Sequence, residues 1–342
     1  FPERTGTENS MAAAYASFLN GKYAVEPIYF EVKEGDNVKI GVHGKNTGFW
    51  NIWGEFGLSY YGNITLNELL LANVIKNYNV ALETAMYYQT KDMFDEDKAK
   101  LNQSIDENSI DVSIATEDEL VNAINNLEDA IGEAKSASMA YSNYVASQRL
   151  LANAGDDAKV DFTSILINPG FETGDISGWT NSGIQPAGAQ GNNSFDNKKG
   201  SYYAEKWHAV GTVDLNQTVA GLPAGIYELS AYVYSDTNDA KLYANEKEIG
   251  FSTSGLYSVL VEIGDKGAIK FGASCTLTNS TWICMDGFTL SYMNDLTYTL
   301  AEGKMSVAAD NAQKEAAAAF QAEKTLANYE AVLAAILAAE AS

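Results

Sequence analysis

Basic residues are scarce in this chain. Its 342 residues carry 22 Lys and Arg against 45 Asp and Glu, a net charge of −23, and the only arginines are Arg4 and Arg149. Nucleic-acid binding rests on Lys and Arg neutralising phosphates, so a duplex partner is excluded, and an anionic membrane surface with it. The acidity itself reads as solubility and low non-specific association. No apolar run is long enough to span a bilayer, which excludes insertion as a helix. Histidine is limited to His43 and His208, and cysteine to Cys275 and Cys284. Residues so dispersed make no zinc pattern, and the two His read as ordinary surface or edge residues. Phe1-Pro2-Glu3-Arg4 is no signal peptide, since it lacks an apolar segment; the numbering is expected to start after any such segment was removed. Catalytic signatures are missing too: there is no G-x-S-x-G elbow, no H-E-x-x-H and no Walker-type phosphate loop. A glycosidase would need two carboxylates about 5–10 Å apart across a cleft, and no motif marks such a pair. The chain reads as non-catalytic.

What is present falls into two textures. Residues 64–92 and 116–150 read as helices, with a shorter one around 95–108. Leu71, Ile75, Tyr78, Leu82 and Ala85 form one stripe, and Leu120, Ile124, Leu127, Ile131 and Ala134 repeat its spacing. Thr116-Glu117-Asp118-Glu119 has the form of a capping box, in which hydroxyl and carboxylate satisfy orphan N–H groups reciprocally. From Asp161 to Asn294 Gly, Asn, Ser and Thr rise and apolar residues alternate. In GIYELSAYVYSD, Tyr227, Leu229, Ala231 and Val233 share one face, while Glu228, Ser230, Tyr232 and Tyr234 share the other. Several such runs separated by turns indicate a β-sandwich. Cys275 and Cys284 flank TLTNSTWI, read as a hairpin tip. A disulfide across it would require an oxidising compartment, and two buried thiols are the alternative. An Ala-rich helical pattern then returns and runs to the end of the sequence.

The chain also resembles itself. VKEGDNVKIGV followed by FWNIWGEFGLSYYGN matches VEIGDKGAIKFGA followed by TWICMDGFTLSYMND. Gly35-Asp36 corresponds to Gly264-Asp265, Trp50 to Trp282, and Phe56–Tyr60 to Phe288–Tyr292, with helix following each time. Self-similarity at a period of about 230 residues means tandem modules, each a sandwich and then a helical bundle. The expected domains are residues 1–62, the closing part of a first sandwich; 63–158, a helical bundle; 159–294, a complete sandwich; and 295–342, the start of a second bundle. On this reading LINPGFETGDISGW is the first strand of the complete sandwich.

NPGFETGDISGW, AEKW, LNQTVAGLPAGIYELSAYV and a closing W-x3-D-x-F-x-L-x-Y resemble carbohydrate-binding jelly rolls of the family 4/9/22 type, with a galactose-binding-like fold. TEDELVNAINNLEDAIGEA is similar to the FIVAR-type bundles that accompany such modules in secreted polysaccharide-processing proteins of gut bacteria. The resemblance implies an extracellular or cell-surface multimodular protein whose sandwich binds a polysaccharide or glycan, its other partners being modules of the same parent chain. It also implies a structural calcium between the first and last strands, at positions matching Glu172 and Asp286. In the first copy Gly54 stands where Asp286 does, with Glu55 beside it. Sugars lie on aromatic rings. Trp179, Trp50 and Trp282 read as packing, whereas Trp207, Tyr234, Tyr232 and Tyr202 are the candidate ligand-binding residues. Tyr232 and Tyr234 are spaced about 7 Å along one strand face, close to one sugar ring. A stalk or adhesin repeat without glycan affinity is the rival, as is an accessory region of a glycoside hydrolase.

Overall fold

The computed structural model describes residues 14, 15, 17, 27–42, 56–155, 158–182, 195, 198–207, 210–294 and 307–340. His43, Trp50, Gly54, Glu55 and His208 lie outside the described residues. Two compact units result, Phe1–Glu83 with Asn108–Leu127, and Thr84–Glu107 with Glu128–Ser342.

Three helices lie where the periodicity set them: α1 (Leu66–Gln89), α2 (Asp95–Asn108) and α3 (Glu117–Ala154). Tyr78 and Ala85 in α1, and Leu120, Leu127 and Ala134 in α3, are buried, so each stripe turns inward every two helical turns. The capping box forms as expected. Thr116 donates its N–H and Oγ1–H to Glu119 Oε2, and Glu119 N–H donates back to Thr116 Oγ1. Thr65 and Glu68 do the same ahead of α1. In the first unit the Tyr78 hydroxyl donates to Asn108 O and accepts the Ile110 N–H. In the second, Phe94 packs edge-on against Tyr141 and Tyr144.

The second unit contains a two-sheet antiparallel sandwich. Its strands are β1 (Lys159–Asp161), β2 (Thr180–Ser182), β3 (Ala204–Trp207), β4 (Gly211–Leu222), β5 (Gly225–Ser235), β6 (Lys241–Ala244), β7 (Lys247–Gly250), β8 (Gly255–Ile263), β9 (Gly267–Leu277) and β10 (Trp282–Met293). One sheet runs β1-β10-β5-β8, with β3 also on β10; the other runs β2-β4-β9-β6-β7. Only β6 and β7 are consecutive and paired. Every other link passes from one sheet to the other, so the core between them is made by residues from the whole length of the chain. Leu229, Phe271, Leu290 and Ile283 in this core have no exposed surface.

That alternation corrects two readings. TLTNSTWI is not a hairpin tip, because β9 and β10 belong to different sheets. Cys275 and Cys284 are therefore not cross-strand neighbours; both are buried and no disulfide joins them, and Cys284 lies outside the core cluster that holds Cys275. LINPGFETGDISGW is not a strand either. It is a crossing loop between β1 and β2, with Asn168 (φ 48°) and Phe171 (φ 56°) in left-handed conformations. Its apolar residues still reach the core, where Trp179 lies 4.7 Å from the Phe288 ring. Gln217, buried in β4, pairs with the loop as a strand would: Oε1 accepts the Ile167 N–H, and Nε2 donates to Ile167 O and Gly178 O.

Two more helices, α4 (Val307–Ala322) and α5 (Leu326–Glu340), follow the sandwich. Phe320, Tyr329 and Val332 cluster with Ile226 of β5 and Met293 of β10.

The turn from β4 to β5 packs against α3. Gly221 has φ 79°, and a Cβ there would stand 1.8 Å from Ala140 O. Asn143 Nδ2 donates to Ala220 O beside it. Gly221→Ala is expected to lower unfolding stability by about 1–3 kcal/mol, as overpacking against backbone does. Gly264→Ala, whose Cβ would meet nothing within 4 Å, should stay within about 0.5 kcal/mol of the parent in urea unfolding.

Candidate functional site

Side-chain parity divides the sheet built on β10. Along β5 the residues Leu229, Ala231 and Val233 enter the core, so Tyr232 and Tyr234 take the outer face. Along β3, Ala204 enters the core, which puts Tyr203, Glu205 and Trp207 outside. On β10 the outer positions are Trp282, Cys284 and Asp286. Register aligns these across three strands: Trp282 faces Trp207, while Cys284 has Glu205 on one side and Tyr234 on the other.

The result is an aromatic cluster at one end of the outer face. Trp207 and Trp282 stack with centroids 5.1 Å apart and planes 22° from parallel, and Trp207 is half exposed. Glu205 Oε2 accepts the Trp282 Nε1–H at 3.1 Å and the Tyr203 hydroxyl at 3.0 Å. One carboxylate thus fixes two rings. Phe195, Tyr203 and Cys284 are buried beneath, with Tyr232, Tyr234 and Trp282 packed against them. Lys199 Nζ lies 4.6 Å above the Tyr232 ring, and Lys198 Nζ is 5.8 Å from that of Tyr203.

Three of the four aromatics expected to bind ligand, Trp207, Tyr232 and Tyr234, thus meet on one face. Tyr202 does not join them. Its ring packs against the sandwich core and over Gly174, on the opposite side of the chain from Trp207. Trp282 and Glu205 complete the cluster. Glu205 was legible from parity with Trp207, but only the β3–β10 register brings in Trp282.

Glu172 and Asp286 also come together. A Cβ on Gly170 would stand 3.8 Å from both Asp286 Oδ1 and Glu172 Cγ. Asp286 has no exposed surface, and its oxygens accept the N–H groups of Lys199 and Gly287, each at 2.6 Å. Glu172 accepts from Ser201 and Tyr202. Burial above all, with the nearby Glu172 charge, pushes the Asp286 carboxyl up to about 7, against the opposing pull of its N–H bonds. Both carboxylates hold the segment that leads into β3. Among the described residues no group of three or more His, Cys, Asp or Glu side chains is placed to hold a metal ion.

No family model matches the chain, and no curated protein matches it. Solved structures to which the chain is similar include carbohydrate-binding modules. TmCBM61, in complex with β-1,4-galactotriose, is 24% identical with a TM-score of 0.31, over 36% of this chain and 95% of that one. The CBM22-1 xylan-binding domain from Paenibacillus barcinonensis is 12% identical with a TM-score of 0.26, over 36% and 92%. A family 35 module from Clostridium thermocellum is 12% identical with a TM-score of 0.24, over 33% and 90%.

The raised Asp286 value sets a pH dependence. The folded state holds this proton more tightly than the unfolded state, so the contribution to stability is greatest below the ordinary carboxylate range and is lost as pH rises toward 7. In chelator, the melting temperature of the sandwich should fall between pH 5 and pH 7.5, and Asp286→Asn should flatten that slope. An equal slope in the variant would assign the effect elsewhere.

Proposed function

We propose that the sandwich is a non-catalytic carbohydrate-binding module, taking a polysaccharide across the aromatic end of its outer face. One observation carries the reading: Trp207, half exposed, stacks on Trp282, whose indole N–H is held by Glu205. A ring held rigid before the ligand arrives loses little entropy on binding, and its flat face suits the C–H face of a pyranose. Tyr232 and Tyr234 extend the surface on the neighbouring strand. The arrangement suits binding and orientation rather than bond cleavage.

A calcium ion at Glu172 and Asp286 belongs to this reading. The donor set fits a hard cation: two carboxylates from distant parts of the chain converge, one of them fully buried beside the other's charge. An ion there would supply neutralising charge and join the loop before β2 to the closing strand. The module is secreted or surface-displayed and repeats in tandem with helical bundles in a longer protein.

A stalk role has its own support in the close packing of Ala140 against Gly221, which stiffens the junction of α3 and sandwich. Ligand binding separates the two roles. In affinity electrophoresis on xylan, β-glucan, mannan and pectin, at least one polysaccharide should retard the protein, and Trp207→Ala should weaken that retardation at least about tenfold, the equivalent of about 1.4 kcal/mol. Unchanged migration in every gel would favour the stalk. Calcium should raise the melting temperature relative to chelator, and Asp286→Asn should abolish the rise; no shift in the parent would dismiss the ion.

A further inference from the structure

We propose that the end of the sandwich where the chain enters and leaves is a tension-bearing junction centred on Asn294. A pull between α3 and α5 passes through this residue and its neighbours, and the rest of the sandwich stays out of the path. Such a mount serves a glycan-binding module and a bare spacer alike, so glycan binding plays no part in it.

Entry and exit are neighbours. β1 and β10 pair antiparallel with Lys159 opposite Met293, and the Asn294 N–H donates to Ala158 O at 2.9 Å. The chain thus comes in after α3 and goes out after β10 at one place. β1 is only three residues long. Antiparallel strands pulled apart from a shared end open one hydrogen bond at a time instead of sharing the load along the ladder. Alone, this pair would be a weak point.

Asn294 bridges it. Its Nδ2 donates at 3.2 Å to Gly155 O, just past the end of α3, where Gly155 (φ 57°) stops the helix in a left-handed conformation. Its own carbonyl accepts from Gln321 Nε2 at 2.9 Å, near the end of α4, and from Lys324 Nζ. Lys324, in the turn between α4 and α5, also donates to Met293 O at 3.4 Å and lies over the rings of Tyr292 and Phe320. One residue therefore holds the end of α3, the start of β1 and the α4–α5 turn. An amide side chain is required for this, since a carboxylate or an apolar group has no proton to donate to Gly155 O.

Further contacts grip the same end from both sides. On the α3 side, Asn143 Nδ2 donates to Ala220 O, and Leu150, Leu151 and Ala154 pack against the core. Lys266, in the β8–β9 turn, lies 4.7 Å from the centre of the Phe94 ring. On the other side Glu262 accepts the N–H of Leu326, the first residue of α5, at 2.7 Å. Glu262 stands opposite Ile226, which packs with Met293, Phe320, Tyr329 and Val332. Beneath these, Phe162, Tyr227 and Tyr292 pack ring on ring. The Trp207–Trp282 pair lies at the opposite end of β10, about 35 Å along the strand from Met293.

Optical tweezers on the whole chain test this, with handles on two pairs of exposed positions. Lys135→Cys with Ala338→Cys loads the junction, whereas Glu246→Cys with Ser280→Cys loads the sandwich itself. Both native thiols are buried, which keeps handle attachment to the introduced ones. Across the junction, Asn294→Ala and Lys324→Met should each raise the opening rate at fixed load about fivefold, as loss of one hydrogen bond predicts. Across Glu246 and Ser280 neither should change it. Phe271→Leu, deep in the core, should do the reverse. Equal acceleration by Asn294→Ala in both geometries would reduce the residue to general stability and overturn the proposal. Faster junction opening in Phe271→Leu would route the load through the sandwich and overturn it too, as would a junction rate that Asn294→Ala and Lys324→Met both leave unchanged.

Discussion

The sandwich depends on how β10 pairs. Along one edge it holds β3 with its first half and β1 with its last, and along the other it holds β5 throughout. Between the two halves its register shifts, from Asp286 to Thr289. In that interval the strand edge is free of ladder partners and is filled by loops instead: Phe288 N–H donates to Pro169 O, and Asp286 accepts the Lys199 N–H. The irregularity is where the beginning of the sandwich is fastened to its end. A buried carboxylate there is costly unless its lone pairs are met. The segment that meets them continues directly into β3, so the same fastening positions the strand that carries Glu205 and Trp207.

From that pairing follows the division of the outer face. Toward the end of β10, Met293 with Ile226 lies under the helix pair α4–α5, and Leu260 packs at its margin. The middle is polar, with the Ser230 and Ser258 hydroxyls bonded to each other and Lys159 paired with Glu228. At the start of β10 the face turns aromatic and opens to solvent at Trp207. A single strand, read by parity, thus connects covered core, polar span and exposed rings. That end carries uncharged rings, a fixed carboxylate and two lysines, the composition on which the proposed binding of a hydroxyl-rich polymer rests.

Much of this was legible in the sequence where periodicity acts locally. The stripes of α1 and α3, the Thr116–Glu119 box and the alternation of β5 are short-range patterns, and each forms as read. Sheet membership was not legible, because a tight turn between two apolar runs looks alike whether the strands pair or face each other across a core. The hairpin expected between Cys275 and Cys284 fails for that reason, and of the two readings left open for them the buried thiols hold. The loop 166–179 misled differently: its apolar residues are core residues, yet Pro169 and the left-handed Asn168 and Phe171 keep its backbone out of any ladder. At the site, Trp207, Tyr232 and Tyr234 could be selected by composition and parity. Trp282 could not, since its partner across the sheet comes from β3, far away in sequence.

The central claim is that a ligand lies on the stacked pair Trp207–Trp282 and leaves the core undisturbed. Indole N–H signals in a ¹⁵N-labelled sample, titrated with oligosaccharides of the polysaccharide that retards the protein, report on each tryptophan separately. The indoles of Trp207 and Trp282 should shift progressively to saturation while that of Trp179, buried among Phe171, Phe271 and Phe288, stays in place. Saturable binding with Trp207 and Trp282 unmoved would contradict the account and put the ligand on another surface.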